Sequence, residues 1–129
     1  MPPAASTRQP AAWFSTPAGR AVLDSEDAVV RLAAQERPGQ AGVWLRPVPH
    51  GSGRRVGPGL RLHVAAHGLD GDIRTGWCLP LASECCGVVV VQHVADLGVD
   101  AASLLEEGAR VLVPGGRLWL LALNPLSPY

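Results

Sequence analysis

Four histidines, three cysteines and an arginine pair carry most of the reactive chemistry in this sequence. His93 follows Gln92 at the end of a run of four valines, where a buried strand would meet solvent. An imidazole there titrates near neutrality and suits a ligand contact or a general base, or else it only caps the strand end. His50, His63, His67 and His93 have no metal-ligand spacing, and Cys78, Cys85 and Cys86 do not form two separated pairs, so no metal is expected. An odd cysteine number with two adjacent residues reads as free thiols. Cys85 and Cys86 are then either redox-active or packing residues beside a buried strand. Arg54 and Arg55 follow Gly51-Ser52-Gly53, where they hold a phosphate or carboxylate or form a solvated loop pair. A phosphate loop needs a helix start directly after its glycines, and Gly57, Pro58 and Gly59 argue against one.

The elements that position these residues are legible from periodicity. Residues 1–14 read as a flexible N-terminal arm, with Trp13 and Phe14 docking on the body, and residues 15–129 as one domain. Ser15 and Thr16 before Pro17 mark a helix start. Val22, Val29, Val30 and Ala33 recur at helical spacing, with Asp24, Glu26, Asp27 and Arg31 between them. One amphipathic helix is therefore expected, stopping near Arg37 before Pro38 and Gly39. Strands follow at Gly42 to Arg46, at Leu60 to Ala66 and, more weakly, around Ile73. The stretch from Pro47 to Gly59 is loop. Val88 to Val91 predicts a strand buried on both faces, as in the centre of a parallel sheet. A helix from about Asp100 to Leu112 and a strand over Leu118 to Leu123 complete a βαβ unit around Pro114-Gly115-Gly116. The whole reads as an open, mainly parallel α/β sheet of about five strands with flanking helices. Ligands in such sheets bind at the carboxyl ends of the strands near the reversal of strand order. That places a site around Val48 to Gly53, Ala66 to His67, Trp77 to Leu79 and Gln92 to Val94.

Composition narrows the function classes. The chain has 129 residues, eleven arginines and no lysine against eleven acidic residues, and 47% hydrophobic residues. One domain with a core is expected, and the neutral balance argues against bulk nucleic acid as a partner. No run reaches the roughly 18 to 20 apolar residues of a membrane span, and the first residues lack a secretory pattern, so a cytoplasmic location away from membranes is expected.

Leu79-Pro80-Leu81 leading into the valine strand, then Arg110-Val111-Leu112 and Pro114-Gly115-Gly116 with Leu118, resemble the second half of class I S-adenosylmethionine-dependent methyltransferases. The similarity is to the type 11 group and extends over about residues 15 to 125. It implies a Rossmann-like methyltransferase sheet and S-adenosylmethionine as cofactor, with the methyl acceptor a small molecule not identified by the sequence. It implies cofactor contacts at Gly51, Gly53, His67, Cys78, Leu79, Gln92 and His93, with Trp77 and Cys78 walling an adenine pocket or Trp77 belonging to the core. Gly115 and Gly116 are structural, because a helix that reverses into a strand uses positive φ values that glycine accepts.

The same resemblance marks departures. The loop after the first strand has no acidic residue, and Pro47 and Pro49 remove backbone donors from it. His67 stands where the family has a carboxylate for the ribose hydroxyls, and a neutral imidazole cannot accept two such bonds. Thr75 falls at the adenine-contacting acid, with Asp70 and Asp72 nearby, and Gly87 replaces the aspartate that opens the fourth strand. The chain ends at Asn124 to Tyr129, without the usual C-terminal strands, leaving Leu118 to Leu123 as a sheet edge that invites pairing. Two functions fit these residues. One is a methyltransferase; the other is a non-catalytic, methyltransferase-like scaffold or partner subunit, a homodimer or a complex with another protein through that edge.

Overall fold

Residues 12–35, 40–50, 59–94 and 101–122 are described by the computed structural model. The first helix, α1 (Pro17–Ser25), starts as its sequence dictates. Thr16 is the N-cap, its side chain accepts from the Gly19 amide at 3.2 Å, and Pro17 occupies the first turn. The expected single helix is broken at Glu26, after which α2 (Asp27–Gln35) continues. Ser25 supplies a reason, because its hydroxyl bonds back to the Val22 carbonyl at 2.7 Å, a competition that bends helices. Helical bonding resumes at once, with the Val30 amide donating to the Glu26 carbonyl. The expected stop near Arg37 lies outside the described residues.

Five strands form one sheet: β1 (Gly42–Arg46), β2 (Gly59–Ala65), β3 (Gly68–Gly71), β4 (Cys86–Gln92) and β5 (Leu112–Leu121). Their order is β3-β2-β1-β4-β5, parallel throughout except that β3 runs antiparallel to β2. The weak strand expected around Ile73 is thus displaced to Gly68–Gly71, where it closes a hairpin. Ile73 follows it, 44% exposed. A four-residue strand joined by a two-residue turn has no room for a crossover helix, which fixes the antiparallel direction. α3 (Ala101–Val111) then connects β4 to β5. Leu112 stands opposite Cys86 and Arg117 opposite Val88, so the Pro114-Gly115-Gly116 turn interrupts the ladder near the start of β5. The strand expected over Leu118 to Leu123 thus begins at Leu112, directly after α3, and Gly115, with φ 81, serves the irregularity inside β5 and not a helix-to-strand reversal; Gly116 is not among the positive-φ glycines.

β4 is buried along its whole length, and alternation divides its valines between two layers. Val88 and Val90 meet Val30 and Ala33 of α2, with Trp44 and Trp119 beside them. Val89 and Val91 face the other way into a larger cluster with Val43, Leu45, Leu62, Leu69, Leu104 and Val111. Helices therefore cover both faces, and the sheet is the middle layer. The described residues form a mostly parallel α/β sheet, as the sequence leads one to expect. Among them no helix is long and apolar enough to cross a membrane.

Leu45 is fully buried in the central strand, whereas Leu32 on α2 is 64% exposed. Leu45→Ala should lower unfolding free energy by about 2–5 kcal/mol and Leu32→Ala by no more than about 0.5 kcal/mol. Urea titration of the two variants checks the difference.

Candidate functional site

Strand order reverses at β1, which lies between β2 and β4, so the carboxyl ends of β1 and β4 flank the position where open α/β sheets take ligands. A polar cluster occupies that position. The Glu26 carboxylate reaches it from the break between α1 and α2, and His93 Nε2 lies 2.9 and 2.7 Å from its two oxygens. Gln92 Nε2 donates to Glu26 Oε1 at 3.1 Å, and the Trp44 indole N–H of β1 donates to Gln92 Oε1. One helix corner and two strands are tied together by a single carboxylate.

Successive side chains on a strand point to opposite faces, yet Gln92 and His93 both bond Glu26. The backbone resolves the conflict, because His93 has φ 55 and turns its ring to the side that Gln92 already faces. Its amide bonds the Leu121 carbonyl at 2.7 Å, which holds the reversal against β5. A non-glycine residue in this region is uncommon and costs about 1–3 kcal/mol, so the surrounding bonds must impose it.

Access to the cluster is unequal. The His93 side chain is 1% exposed, while that of Glu26 is 18% exposed. Phe14 closes over the imidazole with a ring-centroid distance of 5.0 Å and is itself buried with Leu23 and Val48. That docking depends on Gly19, where a Cβ would lie 2.1 Å from the Trp13 carbonyl oxygen. Glu26 is thus the member that faces an approaching ligand, and His93 and Gln92 orient it. The carboxylate can accept from a hydroxyl or ammonium, or exchange a proton with the imidazole.

Two cationic or titratable groups adjoin the cluster. Burial lowers the pKa of Arg46, at the end of β1, and nearby Asp27 and Asp24 oppose that shift. Its guanidinium carbon stands 5.7 Å from the Trp44 ring centroid. His50 packs edge-on to the same ring at 4.7 Å, and its Nε2 lies 3.0 Å from the Leu62 carbonyl oxygen. Burial, more than the Arg46 and Arg61 charges, pushes the His50 pKa down from 6.5 to about 4. The neutral ring must donate Nε2–H to that carbonyl.

The expected site residues divide sharply. Gln92 and His93 meet at the cluster. His67 lies apart, in the β2–β3 turn, with Nε2 4.0 Å from Asp70 Oδ2 and Nδ1 3.5 Å from Arg74 Nη2. Leu79 is bound to α3 instead. Its amide donates to Glu107 at 2.8 Å and its carbonyl accepts from Arg110 at 3.0 Å, on the face of the sheet opposite Glu26. Cys78 is exposed next to it. Trp77, at 39% exposure, is not a core residue. Gly51 and Gly53, with Arg54 and Arg55, lie outside the described residues. Cys85 and Cys86 are free, their sulfurs 3.6 Å apart, and burial first and Cys85 second push the Cys86 thiol up to about 12. A thiol so raised is an inert packing group at neutral pH. Glu26 is not legible as a site residue from the sequence, since in a helix it reads as one more polar position. Only the Ser-Glu-Asp run between apolar repeats hints at a break.

Because unfolded His50 takes up a proton near pH 6.5 and folded His50 only near 4, folding stability should fall as pH drops through that window. His50→Gln should flatten the dependence, as read from urea midpoints at pH 7, 5.5 and 4. Glu26→Gln removes the charge that His93 faces and should lower stability by about 1–3 kcal/mol, measured in the same way at pH 7. No family model, no curated protein and no solved structure matches the chain.

Proposed function

We propose that the chain is a methyltransferase-like protein of Rossmann-like architecture that binds S-adenosylmethionine at the carboxyl ends of β1 and β4 and passes its methyl group to a small molecule. The observation that carries this reading is the polar cluster of Glu26, Gln92 and His93 at the reversal of strand order. Those ends suit a ligand with both hydroxyl and cationic groups. Glu26 offers a carboxylate with one side toward solvent. Asp70 brings a second beside His67, so the hydroxyl-accepting role that His67 cannot fill passes to Asp70.

The cofactor supplies an electrophilic methyl group on a sulfonium. What the protein must add is alignment of the acceptor and removal of its proton, and alignment carries most of the rate. Glu26, oriented by Gln92 of β4 and by His93 just after it, is the group placed to take that proton. Phe14 covers the imidazole beside it.

A second reading, a non-catalytic scaffold or partner subunit, is favoured by one specific observation. Gln92 and His93 direct polar atoms at Glu26 and Trp44, within the protein itself. In this reading β5 pairs with a second copy or another protein, since it is an edge strand and its Leu120 is 47% exposed. A cytoplasmic setting suits both readings.

Isothermal titration with S-adenosylmethionine and S-adenosylhomocysteine tests them. Saturable micromolar binding that Glu26→Gln weakens by about tenfold is expected for the first reading. No binding to a folded sample, together with a dimer in sedimentation, leaves the second.

A further inference from the structure

The sheet face on the α2 side carries a polar row across three strands that the core clusters do not absorb. Asp70 pairs with His63, and His63 with Arg46, in the strand registers. Register partners project to the same face, on strands about 4.8 Å apart. Two atoms in this row lack a hydrogen-bond partner among the described residues although both are buried: Arg46 Nε and His63 Nδ1.

Buried polar atoms are nearly always satisfied, and an unsatisfied one on a charged group is costly. Trp44 offsets part of the Arg46 charge through its ring but accepts no N–H bond in the plane of the guanidinium. Asp24, Asp27 and Glu26 act on Arg46 only through the field. Burial also lowers the pKa of His63, so its ring is neutral at pH 7 and carries one proton to place on either nitrogen. Two unused hydrogen-bonding atoms therefore belong to register partners on adjacent strands, and they share one face of the sheet.

We propose that Arg46 and His63 form a binding site for the carboxylate of a small organic acid. Arg46 donates from Nε to one oxygen, and His63, in its Nδ1–H tautomer, donates to the other. Two donors from adjacent strands match a planar group with two oxygens and one charge. Asp70, opposite His63, repels the additional charge of a phosphate and selects for the carboxylate. The site does not depend on methyl transfer, and it is read without S-adenosylmethionine.

The test is nitrogen-15 NMR of the full chain titrated with acetate, succinate and inorganic phosphate. Saturable shifts of the Arg46 Nε–H and His63 ring signals are expected with the carboxylates, with phosphate weaker than succinate. Arg46→Gln and His63→Phe should each weaken succinate by about tenfold, and Asp70→Asn should admit phosphate. Unmoved Arg46 and His63 signals in the wild-type protein, tighter binding of phosphate than succinate, or undiminished succinate binding by folded Arg46→Gln would overturn the proposal. Should Arg46→Gln not fold, Arg46→Lys keeps the charge without the planar fork and is expected to lose most of the affinity.

Discussion

Everything described rests on the burial of β4 from both sides. A strand with valines on each face must be covered by a layer above and a layer below, and α2 and α3 supply them. Its two neighbours are then set, since β1 and β5 alone pair with it. The end of such a strand is the one place where it can turn polar without losing core, and Gln92 and His93 take that place. The cluster at Glu26 is therefore a product of the core as much as of its own hydrogen bonds.

The polar end is held by constraints that oppose one another. Placing a carboxylate beside a buried imidazole is unfavourable unless both find partners; the two bond each other, Gln92 donates to the carboxylate, and the indole of β1 in turn donates to Gln92. Forcing His93 into a positive φ is unfavourable as well, but it brings the ring to Glu26. The cost of one is offset by the gain of the other, which is why the break after Ser25 and the end of β4 are coupled although 67 residues separate Glu26 from His93.

Periodicity and end signals made much of the fold legible. Thr16-Pro17 marks a helix start, β1 spans the stretch Gly42 to Arg46 that its pattern predicts, and the valine run identifies the buried strand. What stayed hidden depended on partners distant in the chain. Glu26 sits in a helical pattern and gives no sign that its carboxylate belongs to a strand end. β3 lies in a short stretch with little apolar alternation, so its direction follows from the turn at Ala66 and His67 and not from its own residues. Leu79 and Cys78 follow the chain into a loop next to a β-strand, but Glu107 and Arg110 draw that loop to the opposite face.

The φ of 55 at His93 has a consequence for sequence drift. Position 93 is filtered twice, once by the imidazole that Glu26 requires and once by a backbone that branched residues tolerate poorly. Glycine and asparagine satisfy the second filter but fail the first, and valine or isoleucine fails both. The substitution vocabulary at this position is therefore short, and a chain that gives up this histidine also strips Glu26, at the corner between α1 and α2, of the partner it meets there.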